Sequence, residues 1–450
     1  MAAQPSAREP WCVSRLRVSD LRLPALRRRT LRLVLSRRQN LLPDITTLRR
    51  LPASSTYPVR RHGIDPVPQL GETRDREPVT KLTSLLGVDI WLVTGFDEAR
   101  EMLADQGRYS NDMRRVLGDR PRTDAEGIGG LGMTDPPDHA RLRGLLTPEF
   151  TKHRLVRLQG GIDEIVAEAL DDVEARGPDV DLVPHFGFAV PFRVICDLLG
   201  LPVEDRAAFH DLGIARFDLS NGGVGVFGAA TESRTFLIDA VRRQRRDPGD
   251  GLIGALLRNH GGDFDDVELG GLVDGLFLGG YETSASMLSM GAYLLLQQPA
   301  AWETMRTGTP AEVDGVVEEL LRLLCPVQLA FPRFAREDLE LGGRHVGTGD
   351  VLLVSLSAAN RDPRSFPDPE QFTLRSDRTA HLAFGHGLHR CVGAELARME
   401  IRTALTALVR RFPELALAPG AEPAFRELSI VHSVDSLPIR LAPAEAAESA

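Results

Sequence analysis

Cysteine and lysine are scarce in this chain of 450 residues, which has four cysteines and two lysines. The cysteines show no paired spacing and lie far apart, at Cys12, Cys196, Cys325 and Cys391. The sequence therefore excludes a disulfide framework and favours a reducing compartment. No apolar run approaches the ~20 residues of a membrane-spanning helix, and arginines break the N-terminal apolar stretches, which excludes a secretory signal. We expect a bacterial cytoplasmic protein without a membrane span, since avoidance of lysine is typical of GC-rich bacterial genomes.

Positive charge is concentrated at the N-terminus. Residues 1–61 contain 14 Arg, no Lys and 3 acidic residues, whereas the whole chain has a net charge of −9. Three interpretations of this stretch stay open: a nucleic-acid-binding arm, a targeting or anchoring segment, and a start codon placed too far upstream. We favour the third, because non-coding DNA from a GC-rich genome also reads as arginine and no aromatic residues interleave with the basic ones. We accordingly expect no nucleic-acid partner.

The rest of the chain has the composition of one large globular domain. Hydrophobic residues make up 42% and charged residues 26%, and no repeat or long Gly/Ser linker follows residue 62. We expect three parts: residues 1–61 as an extension with little packed structure, residues 62–442 as a single domain, and residues 443–450 as a disordered tail.

The hydrophobic pattern is mainly helical. Residues 77–95 alternate enough to predict a short β-hairpin, and residues 160–176 read as an amphipathic helix. Residues 265–299 predict one long helix that is apolar on nearly every face, so it must cross the core. Short β-like pieces follow at residues 339–356 and 428–442. The predicted fold class is mainly α, an α-rich body with small β-sheets.

Cys391 lies in a loop rich in glycine and histidine, just before another helical pattern. Such a cysteine is a nucleophile, a metal ligand or an inert core residue. Gly385, Gly387 and Gly393 would let backbone N–H groups approach the sulfur, and the start of a helix lowers the pKa of a nearby thiol. A thiolate in this setting is a good ligand for haem iron, and Phe384 would shield its proximal side.

Zinc is the competing metal for this loop. Three histidines lie within eleven residues of the cysteine, and with Cys391 they would supply four ligands: His381, His386 and His389. Covalent haem attachment is excluded, because the C-x-x-C-H pattern is absent.

The loop resembles the haem-binding signature of the cytochrome P-450 family, F-G-x-G-x-H-x-C-x-G, and contains every position of it from Phe384 to Gly393. The resemblance extends over residues 62–442. It implies that Cys391 binds the iron of haem b, and that the haem lies between the long central helix and the cysteine loop. It also predicts a single α-rich domain with small sheets.

The segment GGYETSASML at residues 279–288 resembles the family's oxygen-binding helix segment. Glycines within a helix cost roughly 1 kcal/mol each, so a pair of them indicates either close packing or room above the iron. The resemblance implies that Gly280 contacts the haem side, that Glu282 supplies protons and that Thr283 holds a water network.

Two further groups of residues match the family in chain order. Glu319 and Arg322 resemble its buried structural pair, 72 residues before the cysteine, but Gln371 stands where the family's third member is an arginine. Gln371 or Arg375 would have to replace it. The haem propionates need cationic donors, and the resemblance assigns them His139, Arg143, Arg333 and His389.

The resemblance implies a monooxygenase that inserts one oxygen atom of O2 into a medium-sized hydrophobic substrate, acting as a monomer. Only 59 residues follow Cys391, too few for a fused redox module, so a separate ferredoxin and ferredoxin reductase are implied. Arg390, Arg398 and Arg402 would steer an acidic ferredoxin, or would form an ordinary solvated face.

The substrate pocket is expected to be apolar. By family position its lining comes from the central helix, from the segment after the structural pair and from a late hairpin: Leu276, Gly279, Leu329, Phe331, Ile430 and Val431. Residues 110–132 would form the entrance loop.

Two alternatives to this function stay open. The same cofactor serves peroxygenases and enzymes that couple or desaturate their substrates, although the pair Glu282–Thr283 argues against a pure peroxygenase. The alternative from another class is a non-catalytic haem sensor or a zinc-binding protein, which would not need that pair.

Overall fold

Helices form most of the described chain. The computed structural model describes residues 53–85, 87–112, 130–207, 209, 223–374 and 380–441. Within these ranges, the helices of nine residues or more are α1 Pro68–Arg76, α2 Phe96–Ala104, α3 Asp138–Leu146, α4 Gln159–Ala175, α5 Ala189–Leu199, α6 Gly223–Arg246, α7 Leu252–His260, α8 Asp266–Leu296, α9 Pro299–Thr307, α10 Pro310–Leu324 and α11 Ala394–Arg411. Shorter helical turns are Ala53–Thr56, Tyr57–Val59, Gly130–Met133, Thr147–Phe150, Lys152–Leu155, Val156–Leu158, Val183–Gly187, Leu356–Ala359 and Gly387–His389.

The strands are short and form small sheets. They are β1 Arg61–His62, β2 Asp65–Pro66, β3 Val79–Leu85, β4 Val88–Val93, β5 Tyr109–Ser110, β6 Asp179–Asp181, β7 Arg333–Ala335, β8 Leu339–Leu341, β9 Arg344–Val346, β10 Val351–Val354, β11 Ala416–Leu417, β12 Ala424–Phe425, β13 Val434–Ser436 and β14 Pro438–Arg440. The largest sheet has the order β3-β4-β10-β7-β5, in which β4 and β10 are parallel and the other pairs antiparallel. The others have the orders β11-β14-β6, β1-β2, β8-β9 and β12-β13.

Helix α8 crosses the main hydrophobic core, as its apolar pattern predicts. It begins because the Asp265 carboxylate accepts a hydrogen bond from the backbone N–H of Glu268, 2.7 Å away. It ends at Leu296, shortly before Pro299, since proline disfavours helical backbone at the residue before it. Its 31 residues span about 46 Å at ~1.5 Å per residue. Helices α5, α6, α10 and α11 pack around it.

The predicted fold class is confirmed in its elements. The hairpin predicted at residues 77–95 is the β3–β4 pair, and the helix predicted at residues 160–176 is α4. The late hairpin differs, because residues 428–433 form a loop and only β13 and β14 beyond them are strands. No described helix is long and apolar enough to cross a membrane.

The packed structure begins before the boundary predicted at residues 61 and 62. Thr56 and Pro58 are buried, and Arg61 donates a hydrogen bond to the Gln328 side chain at 2.9 Å. The prediction that residues 1–61 lie outside the domain is therefore wrong for residues 54–61. Residues 1–52, the tail at 443–450 and most of the predicted entrance loop, residues 113–129, lie outside the described residues.

Candidate active site

The cysteine loop presses closely against the end of helix α2. Gly385 and Gly387 have φ angles of +68° and +71°, which side chains other than glycine rarely adopt. A Cβ atom on Gly387 would lie 2.5 Å from the carbonyl oxygen of Leu103, so no other residue fits there. The backbone N–H of Cys391 donates to the carbonyl of Phe384 at 2.9 Å and closes the loop. The close backbone approach predicted from the glycines is thus to α2.

The environment of the Cys391 sulfur opposes ionisation in the haem-free protein. The residue as a whole is exposed, but protein atoms surround its sulfur and raise the pKa of the thiol by poor solvation. The backbone N–H of Gly393 and the charges of Arg143, Arg390 and Arg398 act in the opposite direction. The start of α11 therefore lowers the pKa of this thiol as predicted, through Gly393, but burial is the larger effect and the net shift is upward. A bound cation would reverse the balance.

An ion-pair cluster lies beside Phe384. Arg398 places its guanidinium carbon 4.7 Å from the centre of the Phe384 ring, and its Nε donates to the Glu318 carboxylate at 2.6 Å. His381 also contacts Glu318, with 3.2 Å between Nε2 and Oε2. These two partners lower the pKa of Glu318 to about 2, although burial raises it. Phe384 is therefore held in place on one side of the loop.

Polar atoms without partners converge near the loop. The rings of His139 and His389 lie 4.1 Å apart between centroids, and His139 is fully buried. Within the described residues, both ring nitrogens of His139, the Nε2 of His389 and the Nε of Arg333 lack a hydrogen-bond partner. Burial lowers the pKa of both histidines, that of His389 to about 3. Buried groups of this kind are normally paired, so the cluster fits an anionic ligand.

Arg143 lies close to His139 and to the cysteine loop. Its Nη1 donates to the backbone carbonyl of Arg390 at 2.8 Å, and burial lowers its pKa. The structure thus brings the predicted propionate ligands together beside the cysteine loop: His139, Arg143, Arg333 and His389.

Helix α8 carries hydroxyls that bond to its own backbone. The Thr283 Oγ1 donates to the carbonyl of Gly279 at 2.6 Å, and Ser286 does the same to Glu282 at 2.8 Å. Open space lies beside Gly279, whereas a Cβ on Gly280 would lie 3.2 Å from the Ile195 side chain. The two glycines therefore differ: Gly280 allows close packing against α5, which disfavours its predicted contact with haem, and Gly279 lies at an open position.

Glu282 is buried and paired with an arginine that the sequence did not reveal. Its carboxylate accepts a hydrogen bond from Nη1 of Arg426, which also donates from Nε to Asp435 at 2.7 Å. Burial raises the pKa of Glu282 to about 7 against the lowering effect of Arg426. The carboxylate is therefore poised to gain or lose a proton near neutral pH.

Glu319 and Arg322 form a buried bidentate ion pair, with distances of 2.7 and 2.8 Å. The remaining Arg322 hydrogens reach the carbonyl oxygens of Asn360, Pro369 and Gln371 at 2.8 to 3.1 Å. Gln371 is exposed and contributes only this carbonyl, and Arg375 lies outside the described residues. Backbone carbonyls thus satisfy the pair where the resemblance requires a third arginine.

The predicted lining residues come from segments that meet near α8. Val327 and Val431 form an isolated β-bridge, and Gly132 lies so close to Phe331 that a Cβ there would be 2.4 Å from the ring. Phe331 and Ile430 expose 49% and 60% of their surface, which is unusual for large apolar side chains. Leu276, Leu329 and Val431 are partly buried. The bridge between Val327 and Val431 places two segments side by side: one carries Leu329 and Phe331, and the other carries Ile430 and Val431.

Comparison with known proteins gives the family. A family model described as cytochrome P450 matches residues 313–433. Cytochrome P450 FAS1 from Rhodococcoides fascians is 37% identical over 386 residues, which cover 84% of this chain and 96% of that protein. The chain belongs to the cytochrome P450 family.

Two other members indicate the range of cytochrome P450 chemistry around this chain. The 6-deoxyerythronolide B hydroxylase from Saccharopolyspora erythraea is 37% identical over 385 residues, covering 82% of this chain and 94% of that one. The crystal structure of OxyC, implicated in an oxidative C–C coupling reaction during vancomycin biosynthesis, is 35% identical with a TM-score of 0.76. It covers 84% of this chain and 95% of its own.

Family membership confirms the reaction class. The protein is a bacterial-type cytochrome P450 monooxygenase, and its cofactor is haem b held by a cysteine thiolate. It uses O2, a redox partner and a hydrophobic substrate. The zinc alternative fails on geometry, because the described residues contain no group of three His, Cys, Asp or Glu side chains that could hold a metal.

Sequence reasoning missed two buried carboxylates and their partners. Asp135 accepts hydrogen bonds from Arg336 at 2.7 Å and from the backbone of Asn111 at 2.8 Å. Glu400, in α11, is buried beside Ser284, and burial raises its pKa to about 8. A glutamate at an apolar position of a helix was the available signal for Glu400.

Proposed function

We propose that this cytochrome P450 hydroxylates a medium-sized hydrophobic substrate, with Cys391 as the iron ligand and electrons from a separate ferredoxin system. One observation carries the proposal: among the described residues, both ring nitrogens of His139, the Nε2 of His389 and the Nε of Arg333 are buried without a hydrogen-bond partner, and His389 lies in the loop of the only exposed cysteine of the described chain. These are the donors that a haem needs for its carboxylates and its metal, so the residues fit the cofactor.

Bound haem would activate O2 for insertion into a C–H bond, as is established for cytochromes P450. The protein's own residues have simpler tasks. Cys391 supplies the thiolate, and the N–H of Gly393 stabilises its negative charge. Phe384, held by Arg398, keeps water from the sulfur on one side. His139, His389 and Arg333 bind the propionates, and Arg143 joins them by leaving the Arg390 carbonyl.

Proton delivery is assigned to Glu282 and Thr283. The pKa of Glu282 is raised to about 7, which allows this carboxyl to give and regain a proton at neutral pH. The Thr283 hydroxyl donates to Gly279 and therefore turns its lone pairs outward, where they accept a hydrogen bond from water. Open space beside Gly279 leaves room for that water.

The proposed substrate contacts are apolar. We assign the contacts to Leu276 and Gly279 of α8, to Leu329 and Phe331 of one segment, and to Ile430 and Val431 of another. The high exposure of Phe331 and Ile430 supports this assignment, because the burial of such side chains by a ligand is favourable by roughly 25 cal/mol per Å².

The redox partner is assigned to the surface around Arg390. Arg398 and Arg402 are paired with Glu318 and Asp314, both at 2.6 Å, so their charges are largely neutralised. Arg390 is exposed, and Arg100 on α2 adds charge beside the same loop. An acidic ferredoxin would meet these two cations first.

Oxidative coupling is the second candidate, because a coupling enzyme, OxyC, is among the similar proteins. Both reactions consume two protons and two electrons in the reduction of O2, so the pair Glu282–Thr283 is compatible with either. Product mass separates the two: hydroxylation adds one oxygen atom from O2, whereas coupling removes two hydrogens.

The test is the absorption spectrum of the reduced protein under carbon monoxide. Thiolate ligation gives a strongly red-shifted Soret band, and Cys391→Ala should abolish it together with turnover. Cys325→Ala is the matched control, because Cys325 is buried at the end of α10, where its Sγ contacts the backbone carbonyl of Val327. A Cys391→Ala variant that keeps the red-shifted band would exclude the ligand assignment.

A further inference from the structure

The N-terminal hairpin is joined to both proposed substrate-lining segments by buried polar side chains. We call these four residues the Arg61 cluster: Arg61, Gln328, Ser429 and His432. They come from the β1 hairpin, the segment after α10 and the loop before β13. Gln328 and His432 are fully buried.

Arg61 holds the end of α10. Its Nη2 donates to the carbonyl oxygens of Leu324 and Cys325 at 3.3 and 3.0 Å, and its Nη1 to Ile64 at 3.0 Å. Its Nε donates to Oε1 of Gln328 at 2.9 Å. The positive charge thus lies at the negative end of the helix dipole. Burial and the nearby Arg361 lower the pKa of Arg61 to about 10, so it stays charged at neutral pH.

Gln328 joins three separate stretches of backbone. Its side-chain Nε2 donates to the carbonyls of Val59 and Ser429, and its backbone N–H to that of Ile430 at 2.9 Å. His432 completes the contact, since its backbone N–H donates to Pro326 and its Nε2 lies 2.8 Å from the Gly63 carbonyl. Each donor of the Gln328 amide is therefore used to hold one segment against another.

The lining residues are the immediate neighbours of the cluster. Gln328 directly precedes Leu329, which packs against a small apolar cluster of Leu70, Leu92 and Ala358. Ile430 and Val431 lie between Ser429 and His432 in the chain, within the loop of residues 428–433. The cluster therefore bonds to the backbone of both segments that carry the proposed substrate contacts.

We propose that Arg61 and Gln328 are positioning residues that fix the separation of the two substrate-lining segments and so determine which hydrophobic ligands fit. This inference rests on the proposed substrate contacts. It assigns a role in specificity to the N-terminal hairpin, which belongs to none of the elements that carry Cys391, Glu282 or Thr283.

The test compares two ligands of the haem-loaded, full-length protein. Imidazole reaches the iron without filling the pocket, whereas 4-phenylimidazole also contacts the pocket walls. The ratio of their dissociation constants therefore measures how well the walls fit the phenyl ring. Arg61→Met should weaken 4-phenylimidazole relative to imidazole by roughly tenfold, the size of effect that a misplaced apolar contact has. Arg61→Lys should restore much of the ratio. Arg60→Met is the matched control, because Arg60 bonds only to Thr56 in its own turn among the described contacts.

A second variant tests the same role in case Arg61→Met does not fold. Gln328→Glu keeps the acceptor for Arg61 but removes the donors to Val59 and Ser429, and it should shift the ratio in the same direction. Unchanged ratios in both variants, with only a lower melting temperature, would show that the cluster is merely structural.

Variants of the substrate-lining residues distinguish a failure of this inference from a failure of the proposed substrate pocket on which it rests. Ile430→Ala and Leu329→Ala should also change the ratio. If they do and the Arg61 and Gln328 variants do not, the positioning role is wrong while the proposed pocket stands. If none of the four changes the ratio, the pocket assignment itself is wrong.

Discussion

Arg426 binds Glu282 inside the protein, across 144 positions of sequence. Glu282 lies in the middle of α8, and Arg426 directly follows β12, in the same hairpin whose loop carries Ile430 and Val431. The proposed proton donor and the proposed substrate wall are therefore connected through a single buried ion pair.

Loss of Arg426 should lower the unfolding free energy of the protein, by an amount that depends on pH. Arg426→Met leaves a buried carboxyl without its cation, which typically costs about 3 to 5 kcal/mol of unfolding free energy. The pKa of Glu282, already about 7, should rise further, so the folded protein binds a proton that the unfolded chain releases. Stability of the variant should then fall as the pH rises from about 5 towards that raised pKa. Denaturant titrations across this pH range measure it.

The double variant is the control for this ion pair. Glu282→Gln with Arg426→Met removes both charges and should lose less stability than Arg426→Met alone, with a flatter pH dependence. Equal losses in the single and double variants at every pH would show that the arginine stabilises the fold by packing alone.

The Thr283 hydroxyl should affect coupling rather than binding. Thr283→Ala removes a relay contact, which typically slows proton transfer by about 10²-fold. Less product should form for each reductant consumed and more peroxide should be released. Ser286→Ala is the matched control, since Ser286 makes the same bond to the helix backbone but is fully buried. Equal coupling in Thr283→Ala and the parent would exclude the relay.

Glu400 should make the parent less stable at alkaline pH. Its pKa is about 8 in the folded protein against about 4.5 in the unfolded chain, so the folded state holds a proton throughout this window. Unfolding free energy should decrease by about 1.4 kcal/mol per pH unit across it. Glu400→Gln removes this pH dependence. The unfolding free energy of the variant should therefore increase relative to that of the parent as the pH rises from 5 to 8. A constant difference between the two would show that Glu400 is ionised when folded.

Two truncations test where the packed structure begins. A chain that starts at Ala53 retains Thr56, Pro58 and Arg61, whereas a chain that starts at His62 loses all three. We expect the second to lose at least about 2 kcal/mol relative to the first, because the Arg61 bonds to the α10 carbonyls disappear. Thermal unfolding of the haem-loaded chains measures the difference. Equal melting temperatures would place the domain boundary at residue 62 after all.

Local patterns predicted the fold and the cysteine loop well. Apolar periodicity indicated α8 and α4, and the alternation of residues 77–95 indicated a hairpin, because each of these signals lies within one element. The loop was recognisable because its glycines have a direct physical requirement, as the φ angle of Gly387 and its contact with Leu103 show.

Contacts distant in sequence could not be predicted in this way. The Glu282–Arg426 pair and the Arg61 cluster depend on how separate segments meet. In the sequence, Arg426 and Arg61 cannot be distinguished from surface arginines. The net shift in the pKa of Cys391 was not predictable for a related reason: the lowering effect of the helix start is visible in the local sequence, whereas the larger effect of burial comes from the whole fold.

The parallel pairing of β4 with β10 has a consequence for how the chain acquires its structure. Trp91 and Leu352 are partners in this ladder, although 261 residues separate them. The sheet that contains β3 and β4 therefore cannot close before β10, at residues 351–354, is available. Closing so long a loop is entropically unfavourable, and contacts of this range slow folding. We expect the helices around α8 to assemble first during synthesis, and the five-stranded sheet to form only after residue 354 has left the ribosome.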